Sequence, residues 1–122
     1  MIRTIAVAVL ALLAACAAPA PRQFTVFFGT GSDRLTREAQ EIVSQAAAAA
    51  HEQGGSKLVV AGYGDGESAE DAALGDRRAI AVLQALVEDG VDASRIGRRP
   101  GAAEATGAGM PVHKATVTIE TP

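Results

Sequence analysis

The stretch Lys57–Ala79, KLVVAGYGDGESAEDAALGDRRA, runs from an apolar segment through a glycine-rich turn into a helical pattern. Lys57–Ala61 reads as a short buried strand bounded by glycines. A helix is expected to start between Ser68 and Asp71 and to run to Asp89. Ser68 and Asp71 serve as a weak capping pair at its start, and Gly90 closes it. Ala72, Ala79, Leu83, Leu86 and Val87 form its expected apolar side. Strand, turn and helix in this order raise the question of what the turn is for: a nucleotide, a metal, or another ligand.

The same alternation extends outward. QFTVFF, at Gln23–Phe28, is enriched in aromatic and β-branched residues and reads as a first strand. Leu35–Gln53 is the clearest helix. Thr36 suits its N-cap and Glu38 its first turn, and Leu35, Ala39, Ile42, Val43, Ala46 and Ala50 fall on one face. His51 lies in its last turn, where it complements the helix dipole; no partner for it is evident. After Gly90, VDASRIGRRP turns into a short strand around Ile96. GAAEATGAGMP reads as a loop, and Val112–Glu120 alternates as a last strand. The order β-α-β-α-β-β predicts an α/β two-layer sandwich, a mixed four-stranded sheet with two helices on one face.

Composition narrows the function. The chain has 122 residues, enough for one domain, with 11 basic and 14 acidic side chains and a net charge of −3. That balance excludes a basic nucleic-acid surface. Three phenylalanines, one tyrosine and no tryptophan leave little for a base-stacking platform.

The N-terminal segment MIRTIAVAVLALLAAC has one positive charge, Arg3, an apolar run from Ile5 to Leu13, and then small residues. This is the pattern of a secretory signal, too short to cross a ~30 Å hydrocarbon core comfortably as a helix. Cys16 is the single cysteine, so no internal disulfide is possible. Its place directly after Leu13-Ala14-Ala15 resembles a bacterial lipobox. The resemblance implies a cleaved signal over 1–15, a lipidated Cys16 and a Pro/Ala tether over 16–22, followed by one domain over 23–122. Ala17, rather than an aspartate, implies sorting to the outer membrane. From Cys16 to Gln23 the tether reaches about 25 Å at most.

The glycine-rich turn fits no nucleotide motif. Gly62, Gly64 and Gly66 miss the G-x-G-x-x-G spacing, and Gly29–Arg34 puts an arginine where the third glycine belongs. Neither loop carries the Lys-Ser/Thr of a phosphate-binding loop. Asp65, Glu67, Glu70 and Asp71 lack the order of a calcium loop, and His51 and His113 have no paired spacing for zinc. No catalytic constellation has motif context. What remains is a recognition pair. An aspartate on the turn accepts hydrogen bonds from an ammonium, and an arginine in the second helix offers a fork to a carboxylate. A ligand with both groups on one carbon is the zwitterionic head of an amino acid. In a periplasmic lipoprotein an abundant one is the side-chain end of meso-diaminopimelate in peptidoglycan. The plainer alternative makes Asp65 a turn cap, with Arg77 and Arg78 on a solvated helix face beside Glu70, Asp71 or Asp76.

From Phe24 to about Glu120 the sequence resembles the OmpA-like peptidoglycan-associated lipoproteins. The motifs that carry the likeness are FFGTGSDRLTREAQ (Phe27–Gln40), GYGD (Gly62–Asp65), LGDRRA (Leu74–Ala79) and GVDASRI (Gly90–Ile96). The resemblance implies a strand order of 1-4-2-3 and a non-catalytic, cofactor-free domain. It implies that Asp65 holds the ammonium of diaminopimelate and Arg78 its carboxylate, with weaker roles for Gly64 and Asp71. The family has a threonine at Gly64, an asparagine at Asp71 and Asn-Arg-Arg at Lys114–Thr116. The function it implies is a lipid-anchored tether between the outer membrane and peptidoglycan, facing the periplasm. The alternative is an envelope lipoprotein that keeps the fold, has lost wall binding and contacts other envelope proteins instead.

Overall fold

The computed structural model describes residues 22–101 and 113–120. The expected signal over 1–15, Cys16, the tether up to residue 21 and loop residues 102–112 lie outside the described residues. In chain order the elements are β1 (Arg22–Phe27), α1 (Arg37–Glu52), β2 (Leu58–Gly62), α2 (Ala69–Glu88), a 3-10 turn (Ala93–Arg95), β3 (Ile96–Pro100) and β4 (Lys114–Ile119). The sheet order is β1-β4-β2-β3, as the resemblance implied. β4 runs antiparallel to both β1 and β2, and β3 is parallel to β2. α1 therefore carries the chain from β1 past the slot that β4 later fills.

Each helix begins where its cap chemistry puts it. The Thr36 hydroxyl accepts the Ala39 amide at 3.1 Å. Ser68 and Asp71 form a reciprocal capping box that satisfies two otherwise unpaired donors at the start of α2. Gly90 ends α2 with a φ of 98°, a left-handed conformation that favours glycine. His51 does have a partner: its Nε2 donates to the Asp89 carbonyl at 3.3 Å, fastening the end of α1 to the end of α2.

Both helices pack on one face of the sheet. Leu58 and Val60 of β2, Ala115, Val117 and Ile119 of β4, and Val26 of β1 meet Ala39, Val43, Ala46, Ala47 and Ala50 of α1 and Ala79, Val82 and Leu86 of α2 in one buried cluster. Burying each Val, Leu or Ile stabilises by about 1.5–3 kcal/mol. The alanines of α1 add less area but let the helix lie close to the sheet.

One expectation is corrected. The buried side of α2 is Leu74, Gly75, Arg78, Ala79, Val82 and Leu86, whereas Ala72 is exposed and Val87 is 40 % exposed. A hydrophobic pattern skips an arginine and a glycine, yet these two residues set the helix's orientation. The strand ends also sit about one residue from their expected positions; β1, for example, starts at Arg22 and ends at Phe27.

Candidate functional site

The glycine-rich turn is built for contact between backbones. A Cβ on Gly62 would lie 1.8 Å from the Gly75 carbonyl oxygen, and one on Gly64 would lie 1.9 Å from the Asp71 carbonyl oxygen. The first turns of α2 therefore rest directly on the end of β2 and the turn that follows. This close approach, rather than a phosphate, accounts for the glycines. It also aims the 78th side chain into the gap between the β1–α1 loop and the β2–α2 turn.

Arg78 fills that gap and is 0 % exposed. Its Nε donates to the Ser32 carbonyl at 2.8 Å, its Nη1 to the Tyr63 carbonyl at 2.8 Å and its Nη2 to the Gly29 carbonyl at 3.0 Å. Nη2 also lies 2.8 Å from Asp65 Oδ1. The Phe28 ring lies under the guanidinium, 5.3 Å from centroid to Cζ, a favourable cation–π contact. Burying an arginine is costly unless its donors are paired, and here each nitrogen has an acceptor.

Asp65 is the outer end of this pair, with its side chain 18 % exposed. Besides Arg78, Oδ1 takes His113 Nδ1 at 2.6 Å, and Oδ2 accepts the Gly31 amide at 2.6 Å. Burial pushes the Asp65 carboxyl up. The hydrogen bonds from His113, Gly31 and Arg78, with the guanidinium charge, outweigh it and bring the carboxyl down to about 2. An ionised carboxylate only accepts, so His113 Nδ1 carries the proton in this contact.

The structure brings Asp65 and Arg78 together. Gly64 lies against the first turn of α2. Asp71 Oδ2 is engaged by the Ser68 amide at 3.2 Å and the Ser68 hydroxyl at 2.8 Å. Arg77 is solvated, as the plainer alternative had it, but its partner is Asp33 at 3.2 Å; Asp76 pairs with Arg98 at 3.4 Å. Cys16 lies outside the described residues.

Two contributors escaped the sequence reading: the carbonyls of Gly29 and Ser32, and His113. The signal for His113 lay in the implied strand order. With β4 beside β2, and Gly62 opposite Ala115, the residue before β4 must stand next to the turn after β2. Nearby, Lys114 Nζ sits 5.0 Å over the Tyr63 ring.

Comparisons with known proteins agree with the fold. A family model described as "OmpA family" matches residues 27–119. The OmpA-like domain of FopA1 from Francisella tularensis subsp. tularensis SCHU S4 is similar with a TM-score of 0.69 at 16% identity, over 82% of this chain and 72% of that one. The peptidoglycan-associated lipoprotein from Burkholderia pseudomallei gives 0.66 at 21% identity, over 80% and 90%. The periplasmic domain of Helicobacter pylori MotB gives 0.64 at 14% identity, over 83% and 74%. A search of curated protein sequences finds no significant match.

Proposed function

Since the chain belongs to the OmpA family, whose domains are structural and non-catalytic, we propose that it is an outer-membrane lipoprotein that binds peptidoglycan non-covalently. Cys16 carries the lipid and the domain faces the periplasm. The observation that carries the reading is the Asp65 carboxylate, ionised, partly exposed and backed by a sealed arginine. Such a group is a prepared acceptor for an ammonium. The side-chain end of diaminopimelate in the stem peptide supplies one, with a carboxylate on the same carbon. A relative of similar fold is itself a peptidoglycan-associated lipoprotein.

Arg78 has two roles in this reading. It fixes Asp65, and it supplies the positive charge toward which the ligand carboxylate turns. Direct contact requires the ligand to replace one of the loop carbonyls now bound to the guanidinium, Gly29 or Ser32. Gly64 and Asp71 shape the turn rather than touch the ligand. Each charge-assisted hydrogen bond contributes roughly 1.5–3 kcal/mol. One site is therefore weak, and many copies on one sacculus supply avidity.

A second reading has a specific observation behind it. Asp65 and Arg78 are fully engaged inside the protein, and His113 already stands where an ammonium would bind. A domain whose clamp has closed on itself would act as an envelope interaction module instead.

Co-sedimentation of the full chain, in mild detergent, with purified diaminopimelate-type sacculi separates the two. On the tether reading the parent pellets and a folded Asp65→Ala variant stays in solution. A parent that stays in solution supports the interaction module.

A further inference from the structure

Asp65 receives three donors, and they differ in how firmly they are held. Arg78 is sealed, with three backbone carbonyls fixing its position. Gly31 offers a backbone amide from the β1–α1 loop. His113 is different: its side chain keeps 26 % of its surface exposed while it contacts Asp65. Its backbone is fixed independently, since the His113 carbonyl accepts the Phe28 amide at 2.8 Å. The ring can therefore leave Asp65 by a side-chain rotation alone, a fast motion for a partly exposed group.

We propose that His113 is a resident donor on Asp65 that an incoming ammonium must displace, so that occupancy of the site weakens as the ring becomes charged. This rests on the reading of Asp65 as the ammonium acceptor. With the ring neutral, Asp65 and Arg78 cancel, and among the described residues Lys114, over Tyr63, is the further positive charge nearby. Protonating the ring adds one more positive charge where the ammonium arrives. The imidazolium also holds the carboxylate more strongly than the neutral ring does.

Among the described residues the charged groups around His113 come from each neighbouring element. Asp65 comes from the β2–α2 turn, Arg78 from α2 and Lys114 from β4 itself, over Tyr63. The β1–α1 loop brings the uncharged Gly31 amide, and its Asp33 is bound to Arg77. Of these residue types only imidazole ordinarily titrates between about pH 5 and 8. The ammonium and carboxylate of a diaminopimelate head keep their charges across that window.

The test is sedimentation of the full chain, in mild detergent, with diaminopimelate-type sacculi at pH 5.5 and pH 8. The parent is compared with His113→Gln and Asp65→Asn, each checked for folding by circular dichroism. Glutamine keeps a donor but carries no charge. The parent is expected to bind roughly tenfold more weakly at pH 5.5 than at pH 8. His113→Gln is expected to bind equally at both, at least as tightly as the parent at pH 8. A parent that needs Asp65 but binds equally at both pH values overturns the role of His113 and leaves the tether reading standing. The same holds for a His113→Gln variant that keeps the parent's pH slope. Parent binding that survives Asp65→Asn, or no binding by any form at either pH, overturns the tether reading and this inference together.

Discussion

Arg78 Nη2 lies 2.8 Å from Asp65 Oδ1, with the arginine side chain 0 % exposed and the aspartate 18 % exposed. The asymmetry decides what each substitution does. Arg78→Ala removes the donor to three backbone carbonyls and the partner of Asp65 at once. Breaking such a pair costs about 3–5 kcal/mol. Arg78→Lys keeps the charge but cannot reach the Ser32, Tyr63 and Gly29 carbonyls together, so it recovers only part of the loss. Asp65→Asn is milder, because water reaches its end of the pair. Urea unfolding should rank the losses Arg78→Ala, then Arg78→Lys, then Asp65→Asn; equal losses would mean that the buried fork has no special role.

The depressed Asp65 carboxyl links the site to acid stability. Its folded value of about 2 lies below the ordinary 3.8. The sign follows from that direction: the folded state binds this proton less readily than the unfolded one. The contribution is full above about pH 4 and is lost as pH falls toward about 2. The difference corresponds to about 2 kcal/mol. Unfolding free energy measured from pH 5 down to pH 2 should fall more steeply for the parent than for Asp65→Asn. Parallel slopes would show that the carboxylate is not held by its three donors.

Much of this arrangement was legible in the sequence, for physical reasons that also mark the limit. The alternating strands, the alanine stripe of α1 and the caps at Thr36 and Ser68 announce themselves because burial and capping are local rules. Asp65 and Arg78 stand out as candidates through the motifs GYGD and LGDRRA. The burial of Arg78 was not legible, because a periodicity that scores arginine as polar turns the helix the wrong way and buries Val87 in place of Leu74. His113 was missed because it lies 48 positions from Asp65 and meets it only through the β2–β4 pairing. Backbone-to-backbone packing at Gly62, Gly64 and Gly75 leaves the same trace in the sequence as a ligand loop.

That packing gives a sharp test at Gly62 and Gly75. A Cβ at Gly62 would sit 1.8 Å from the Gly75 carbonyl oxygen, and one at Gly75 would sit 2.9 Å from the Gly62 carbonyl oxygen. Both neighbours are backbone, so relief requires α2 to lift from β2. Such overpacking costs about 1–3 kcal/mol or more. Lifting α2 also pulls Arg78 out of its cradle, so Gly62→Ala should lose Asp65-dependent properties along with stability. Gly54, where an added Cβ would meet nothing within 4 Å, is the control. Gly54→Ala should stay within about 0.5 kcal/mol of the parent in thermal or urea unfolding. A well-tolerated Gly62→Ala would contradict the packing described above.

The tether reading has its own consequence at Cys16. The tether reading needs the thiol to carry a diacylglycerol and the new amine a further chain, because one acyl chain holds a protein only marginally while two or more anchor it stably. Cells expressing the full chain and fed labelled palmitate should incorporate the label into it. It should also fractionate with the outer membrane and resist extraction by high salt. Cys16→Ser removes the only thiol in the chain. The variant should lose the label and leave the membrane pellet, while the domain's unfolding curve stays the same, since the buried cluster is formed by residues between Val26 and Ile119. Label retained by Cys16→Ser, or a parent that washes off in salt, would rule out lipidation at this cysteine.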